Sequence, residues 1–175
     1  LMLACAKGAP EIVHALISHG ASLDAVDGAN RTALHYACAY QHHEVADLLL
    51  QVAADSHGHE LIDAADSQEM PSLHYACLQC NHLLAQLLIE RGADVSKLTS
   101  KGQTCVHILC WSTKAGRLDT LQLLLRYGVQ SLLDARDHSQ LTALHYVARS
   151  GDEPLLTMLL SHGASVGAAD GGRNT

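Results

Sequence analysis

The sequence predicts an all-α fold, a solenoid in which helix–turn–helix units with β-hairpin-like fingers stack side by side. A segment resembling Thr-Ala-Leu-His-Tyr-Ala-Cys, as it stands at 32–38, recurs along the chain at intervals close to 33 residues. Each copy precedes a stripe of apolar pairs, and several stripes end at a glycine-containing turn. Because one such unit cannot bury its own apolar stripe, neighbouring units must supply the other wall.

The recurring segment marks the first helix of each unit. An interval of 33 residues separates Ala4 from Ala37, and the same interval separates Ala76 from Leu109. Phe is absent and aromatic residues make up 3% of the chain, so the core must consist of small aliphatic side chains, which suits closely stacked helices. The copies lie at 1–5, where only the tail is present, and at 32–38, 72–77, 104–110 and 142–148.

The second helix of each unit follows from apolar pairs at i, i+1, i+4 and i+5, a spacing that places them on one helix face. Glycine at 20, 92 and 163 then supplies a residue that favours the left-handed conformation at a helix end. Aspartate-containing stretches at 24–27 and 134–137 predict turns. The apolar sets are Ile12/Val13 with Leu16/Ile17, Val45/Ala46 with Leu49/Leu50, Leu84/Ala85 with Leu88/Ile89, Leu121 with Leu124/Leu125, and Leu155/Leu156 with Leu159/Leu160.

These segments resemble the ankyrin repeat family, whose units carry the pattern D-x-x-G-x-T-P-L-H-x-A, then G-H, a Leu-Leu helix and G-A-D. The resemblance covers essentially all 175 residues and implies one helix–turn–helix and one finger per unit. Both ends stop inside a unit, so we expect the chain to be a fragment of a longer protein. The units are a partial one at 1–25, full ones at about 26–64, 65–97, 98–135 and 136–168, and the opening of another at 169–175.

The resemblance also implies that a Thr and a His side chain in each unit tie the finger to the first helix by hydrogen bonds. Pro71 replaces the Thr in the third unit, which predicts loss of that bond there, and Met2 holds the His position in the partial first unit. The histidines in question are His35, His74, His107 and His145.

Three insertions interrupt the 33-residue period, and insertions in solenoids map to surface loops. We place them at 54–61, after the second helix of a unit, at 111–117, between two helices, and at 129–132, before a finger. Loops carry function more often than core segments do. A tolerant loop also accumulates neutral insertions, and the sequence leaves both interpretations open.

Six Cys and thirteen His invite a zinc-site interpretation, and the spacing H-x-x-C-x-x-C-x-H at 74–82 resembles a ligand set. The repeat register favours a small buried packing site instead, because four cysteines occupy one position that Ala148 fills in the fifth unit. We therefore predict no metal, cofactor or catalytic residue, and no enzymatic activity. The four cysteines are Cys5, Cys38, Cys77 and Cys110.

Charge narrows the range of partners. The net charge of −7 argues against a nucleic-acid binder, and no apolar run approaches the roughly 20 residues that span a bilayer. Residues 1–90 carry eleven acidic and two basic side chains, whereas 91–175 carry seven and nine. We expect a partner with a basic segment facing the acidic N-terminal half, the alternative being a merely solvated acidic surface. Reduced thiols predict a cytoplasmic location, or a nuclear or membrane-peripheral one through other domains.

In the ankyrin family, partners usually dock on the concave side formed by finger tips and first helices, and the register transfers that surface to this chain. Tyr40, Leu78 and Trp111 are predicted to form a shallow apolar track, with Arg31 and Arg149 towards its ends. The alternative for Trp111 is that it covers the neighbouring insertion. The complete predicted protein-binding set is Arg31, Tyr40, Met70, Leu78, Gln79, Lys101, Trp111, Ser112, His138 and Arg149.

The function that follows is a non-catalytic scaffold or adaptor module that binds a partner protein or a linear peptide segment on its concave surface. The alternative is a regulatory ankyrin domain within a larger enzyme or ion channel.

A tyrosine directly follows the repeat histidine in three units, at Tyr36, Tyr75 and Tyr146. We predict that these tyrosines join the inter-repeat core.

Overall fold

A computed structural model of the protein describes residues 1–55 and 60–167, and these residues contain ten α-helices and no strand. The predicted all-α fold is thereby confirmed. A 3₁₀ helix at Val129–Leu132 follows the eighth helix. The α-helices are α1 (Met2–Lys7), α2 (Pro10–Ser18), α3 (Ala33–Ala39), α4 (His43–Asp55), α5 (Ser72–Leu78), α6 (His82–Glu90), α7 (Cys105–Trp111), α8 (Arg117–Arg126), α9 (Ala143–Ser150) and α10 (Glu153–Ser161).

The chain forms two compact units. The first comprises Leu1–Ala76 and Leu83–Asp94, and the second comprises Cys77–His82 and Val95–Thr175. Within the first unit α1 packs against α3 and α2 against α4, and within the second α7 packs against α9 and α8 against α10. First helices therefore pack on first helices and second helices on second helices, which is how stacked repeats share their apolar stripes.

Helix ends follow the local chemistry of the repeat. Thr32, Thr104 and Thr142 each precede a first helix and form a capping box with the histidine three residues later. Asp152 precedes α10 and its side chain accepts a hydrogen bond from the amide of Leu155 at 3.0 Å. The predicted glycine stops are confirmed, because glycines 20, 92 and 163 have φ angles of 87°, 97° and 94°.

The register of four cysteines is a buried packing site, as predicted. Each of these side chains is at most 1% exposed and lies in the first helix of its repeat. Ala148, which holds the same position in α9, is exposed, so the prediction is wrong there. The reason is that no further helix follows α10 within the described residues to pack against that face of α9.

The insertions have different outcomes. Residues 112–116 link α7 to α8, whereas two residues link α9 to α10, so this insertion does lie between the helices. The insertion at 129–132 forms the 3₁₀ helix. The insertion at 54–61 begins inside α4, which has 13 residues against nine in α6, and positions 56–59 lie outside the described residues. The predicted opening of a further unit at 169–175 also lies outside them.

Among the helices described, none is long and apolar enough to cross a bilayer.

Candidate functional site

Each finger is held in shape by the residue that opens it. One side-chain oxygen of this residue accepts hydrogen bonds from the amides two and four residues later, at 2.8–3.2 Å. Its own amide donates to the carbonyl four residues later and closes the turn. A single β-bridge, Ala65 with Pro71, forms among the described residues, so the β-hairpin-like fingers consist of tight turns with little strand pairing. The opening residues are Asp27, Asp66, Thr99 and Asp137.

Three of these openings also hold a tyrosine. The second carboxylate oxygen of the aspartate accepts a hydrogen bond from a tyrosine hydroxyl nine residues later, so the tyrosine ties the finger to the first helix. In the remaining finger, which begins at Thr99, Thr99 and Ile108 hold these positions, so both members of the pair are replaced together. The O···O distances are 2.8 Å from Tyr36 to Asp27, 2.7 Å from Tyr75 to Asp66 and 2.5 Å from Tyr146 to Asp137.

These tyrosines correct the sequence prediction. All three are half-buried rather than core residues, and their hydroxyls are finger anchors. Two of the rings do reach a neighbouring repeat, because Tyr75 meets His35 edge-on at 5.4 Å and Tyr146 meets His107 edge-on at 5.8 Å between ring centroids. The predicted inter-repeat contact is therefore present for these two rings, whereas all three side chains are only half-buried.

The predicted Thr–His bond is present in three repeats. The threonine side-chain oxygen lies 2.8–2.9 Å from Nδ1 of His35, His107 and His145. The threonine backbone N–H also donates to Nδ1, so the ring proton belongs on Nε2. Pro71 has neither hydroxyl nor N–H, and the bond is absent from its repeat, as the sequence indicated.

Two of these histidines also reach the following finger. Nε2 of His35 donates to the carbonyl of Met70 at 3.0 Å, and Nε2 of His107 donates to the carbonyl of Leu141 at 3.1 Å. Burial lowers the pKa of both imidazoles, which favours the neutral form that this hydrogen-bonding arrangement requires. Each ring therefore joins its own finger to the next one.

Neighbouring fingers are joined at their tips as well. The amide of Ser67 donates to the carbonyl of Ala29 in the first compact unit, and the amide of His138 donates to the carbonyl of Lys101 in the second, both at 2.9 Å. Gly102 permits the second contact, because a Cβ built there would lie 2.7 Å from Cδ2 of His138. Main-chain hydrogen bonds thus set the spacing of these tips, and the tip side chains take no part in them.

The second compact unit contains a cleft of about 350 Å³, which we call the Trp111 cleft. It lies between two fingers and the ends of two first helices. Four of the ten predicted binding residues are brought together here. The cleft is lined by Lys101, Gln103, Trp111, Asp137, His138, Ser139, Leu141, Tyr146 and Arg149.

Trp111 is exposed at the end of an otherwise buried helix. The other six residues of α7 are buried, whereas Trp111 is 53% exposed. The side chain lines the cleft, and the loop after it is anchored elsewhere: the Ser112 hydroxyl donates to the carbonyl of Leu78 at 2.8 Å and accepts from the Cys80 thiol at 3.3 Å. Ser112 stays a predicted binding residue, although its side chain is buried and its hydroxyl already forms two hydrogen bonds within the protein.

In the Trp111 cleft, the carboxylate of Asp137 is buried, whereas the basic side chains are exposed to solvent. Asp137 is 3% exposed, and its carboxylate accepts hydrogen bonds from the Ser139 and Leu141 amides and from the Tyr146 hydroxyl. Lys101 and Arg149 are exposed, and the ion pairs found among the described residues are formed by other cations, Arg31, Arg91 and Arg117. The cleft therefore presents positive charge beside an indole ring.

The remaining predicted binding residues do not line this cleft. Arg31 is held by Asp27 at 2.7 Å, and its guanidinium lies 5.0 Å from the Tyr36 ring centroid. The Arg31 hydrogen bond holds the pKa of Asp27 well below its usual range. Tyr40 is exposed and stacks on Tyr36 at 6.5 Å. Met70 is half-buried in the first compact unit, and Leu78 and Gln79 are half-buried in the second.

A second cleft, of about 490 Å³, lies in the first compact unit. Two of its acidic residues, Glu11 and Glu44, are exposed, whereas Asp47 forms an ion pair with Arg91. It lies between α2 and α4, not at the fingers where binding was predicted. The lining residues are Pro10, Glu11, His14, Glu44, Asp47, Leu48 and Gln51.

The cysteines of the described residues are all free and buried. Burial raises the pKa of Cys38 and of Cys110 to about 12, and a hydrogen bond with Cys105 together with burial raises the pKa of Cys77. Thiols that remain protonated at neutral pH are poor nucleophiles and poor metal ligands. Within residues 1–55 and 60–167, no group of three or more His, Cys, Asp or Glu side chains is arranged to hold a metal ion.

Comparison with known proteins agrees with this architecture. A family model described as ankyrin repeats, in three copies, matches residues 1–99 and again residues 73–170. The chain is also 28% identical over 169 residues to mouse Rabankyrin-5, a match that covers 95% of this chain. It spans 14% of the length of that relative.

Proposed function

This chain belongs to the ankyrin repeat family, and we propose that it is a non-catalytic scaffold module that binds a linear segment of a partner protein in the Trp111 cleft. Ankyrin repeats are generally protein–protein interaction modules, and the family is generally non-catalytic. The choice of the cleft rests on the residues that line it. It combines finger-tip side chains with the end of a first helix, the part of the repeat where ankyrin partners usually dock.

The exposed indole of Trp111 carries this proposal. Trp is the side chain most enriched among residues that dominate protein interfaces, because it buries a large apolar area with little loss of conformational freedom. Because Trp111 is 53% exposed, its indole is not needed to stack α7 on α9 or to close the fingers. Half-buried Leu141 on the opposite finger supplies a second apolar contact.

A segment in the cleft would be recognised by side chains rather than by strand addition. The finger amides already donate to Asp137, Thr99 and neighbouring carbonyls, so the finger backbones offer no continuous edge to pair with. A shallow groove of this kind favours an extended segment that places one apolar side chain against Trp111.

A basic stretch of the partner facing the acidic N-terminal half remains part of the proposal. Exposed Glu11 and Glu44 support it, whereas Asp27, Asp47 and Asp66 contribute less because each carboxylate is already paired within the protein. The apolar track from Tyr40 through Leu78 to Trp111 is proposed on register alone. A cytoplasmic location is proposed from the free, buried thiols.

Affinity capture followed by titration tests the proposal. The native chain and two variants, Trp111→Ala and Tyr127→Ala, are used as bait, and the segment they retain is mapped and titrated by calorimetry. Tyr127→Ala is the matched control, since Tyr127 is an exposed aromatic residue that does not line the cleft. We expect Trp111→Ala to weaken binding by about 2 kcal/mol or more with unchanged melting, and Tyr127→Ala to bind normally. Equal binding by both variants would contradict the proposal.

A further inference from the structure

We propose that the segment bound in the Trp111 cleft is acidic, with an Asp or Glu carboxylate placed between Lys101 and Arg149 and a neighbouring apolar side chain on Trp111. This inference rests on the proposed function and adds the chemistry of the partner. It concerns only the second compact unit, to which every lining residue belongs.

Among the described residues that line the cleft, Asp137 is the only one with a carboxylate. Asp137 accepts three hydrogen bonds, from two finger amides at 2.8 and 2.9 Å and from Tyr146 at 2.5 Å. A carboxylate that is 3% exposed and already accepts three hydrogen bonds is poorly accessible to a cationic ligand. Among the described lining residues, a basic segment would therefore meet two exposed positive side chains and only a buried carboxylate.

Two cations line the cleft. Lys101 lies at one finger tip and Arg149 in the last turn of α9, and both are exposed. The ion pairs observed in the described part of the chain leave both out. A guanidinium binds a carboxylate through two parallel N–H donors, and an ammonium adds a point charge, so the two together suit one acidic side chain.

An apolar surface adjoins the two cations. Trp111 and Leu141 line the same cleft as the two cations. An acidic side chain alone would be held weakly, because exposed ion pairs contribute little to affinity. An adjoining apolar side chain supplies buried area on the indole, and the cations then select the sign of the charge beside it.

The acidic segment therefore differs from the basic one that the charge of residues 1–90 suggested. The basic segment was expected from the summed charge of residues 1–90. The acidic segment follows from the individual side chains of the cleft that form no observed ion pair. Both can hold for one partner, with a basic stretch near the first compact unit and an acidic one in the Trp111 cleft.

Intrinsic fluorescence gives a direct test, because Trp111 is the only Trp in the chain and reports on the cleft itself. The probes are three synthetic peptides of equal length in which Leu alternates with Glu, Gln or Lys, and a single-stranded oligonucleotide. We expect the Glu peptide to change the Trp111 emission at the lowest concentration, with an affinity that falls as salt is raised. Preferential binding of the Lys peptide, or of the oligonucleotide, would overturn the acidic segment.

Charge reversal supplies the variants. Lys101→Glu with Arg149→Glu should weaken the Glu peptide about tenfold or more, which corresponds to about 1.4 kcal/mol, and should favour the Lys peptide. Lys114→Glu with Arg126→Glu is the matched control, since these exposed cations do not line the cleft. Thermal melts verify that both double variants fold.

The outcomes separate the two proposals. Equal response to the Glu and Gln peptides, unaffected by reversal at Lys101 and Arg149, would reject the acidic segment while leaving peptide binding at the cleft intact. No response of Trp111 emission to any of the three peptides would reject both the cleft as a peptide site and the acidic segment.

Discussion

Nε2 of His107 lies 3.1 Å from the carbonyl oxygen of Leu141, so a buried imidazole in one repeat holds the finger of the next. Leu141 also lines the Trp111 cleft. The same ring accepts a hydrogen bond from the amide of Thr104 on its other nitrogen. A buried residue thus sets the position of a residue that lines the cleft.

Removal of this ring should destabilise the fold. We expect His107→Ala to lower the free energy of unfolding by about 1–3 kcal/mol, because the Leu141 carbonyl and the Thr104 amide both lose a buried partner. Urea denaturation measures the change. His14→Ala is the control, since His14 is exposed, and it should alter stability by no more than about 0.5 kcal/mol. Equal denaturation midpoints for the two variants would refute the role assigned to His107.

Stability should also fall on mild acidification. The pKa values of His35 and His107 are lowered in the folded chain, mainly by burial, although Asp66 and Asp137 respectively oppose the shift. The unfolded chain therefore binds protons more readily, and stability is lost as the pH falls below the ordinary histidine pKa of about 6.5 towards the lowered folded values.

Urea midpoints at about pH 7.5 and about pH 5.5 span this window. We expect a lower midpoint at the acidic pH for the native chain, and a smaller difference for the double variant His35→Gln/His107→Gln. Exposed histidines remain in both proteins and serve as an internal control. An identical pH dependence in the double variant would show that these two rings are not the source.

The bond between Tyr146 and Asp137 should appear as a coupling energy. Tyr146→Phe removes the hydroxyl that donates to a nearly buried carboxylate at 2.5 Å, and Asp137→Asn changes the acceptor. In a double-mutant cycle we expect an interaction of about 0.5–3 kcal/mol, the range of residues in direct contact. Additive effects of the two substitutions on unfolding would argue that the hydroxyl contributes nothing to holding the finger.

Two glycines at helix ends should respond differently to alanine. Gly8 and Gly20 have φ angles of 66° and 87°, so alanine strains the backbone at both by about 1–2 kcal/mol. A Cβ at Gly8 would also lie 2.3 Å from Nδ1 of His42, whose Nε2 contacts the carbonyl of Ala6 at 3.1 Å, whereas Gly20 has open space. Gly8→Ala should therefore lower the melting temperature more than Gly20→Ala, and the reverse order would contradict this packing.

Repetition made much of the fold predictable. A position that holds Cys or a small residue in every unit must have the same surroundings in each, so burial of Cys5, Cys38, Cys77 and Cys110 followed from register alone. The Thr–His bond could be transferred in the same way. Register fails for Ala148, which is exposed because no described helix packs against that face of α9.

Insertions and local charges were harder to predict. Ser112 follows Trp111 in an insertion, and no repeat position foretells that its hydroxyl turns back to the Leu78 carbonyl. The three hydrogen bonds to the Asp137 carboxylate come from donors that converge only in the folded finger. Yet one signal was present in the sequence: Asp and Tyr stand nine residues apart in three units and are replaced together by Thr99 and Ile108 in the other.

The fingers are joined through main-chain atoms, from the amide of Ser67 to the carbonyl of Ala29 and from the amide of His138 to the carbonyl of Lys101. Amide and carbonyl groups remain whichever side chain a codon specifies, provided that it is not proline and that Gly102, beside the second bond, is kept. Mutation can therefore exchange the tip residues while adjacent turns stay attached. Natural selection can therefore change the side chains of this surface at little cost to the stability of the fold.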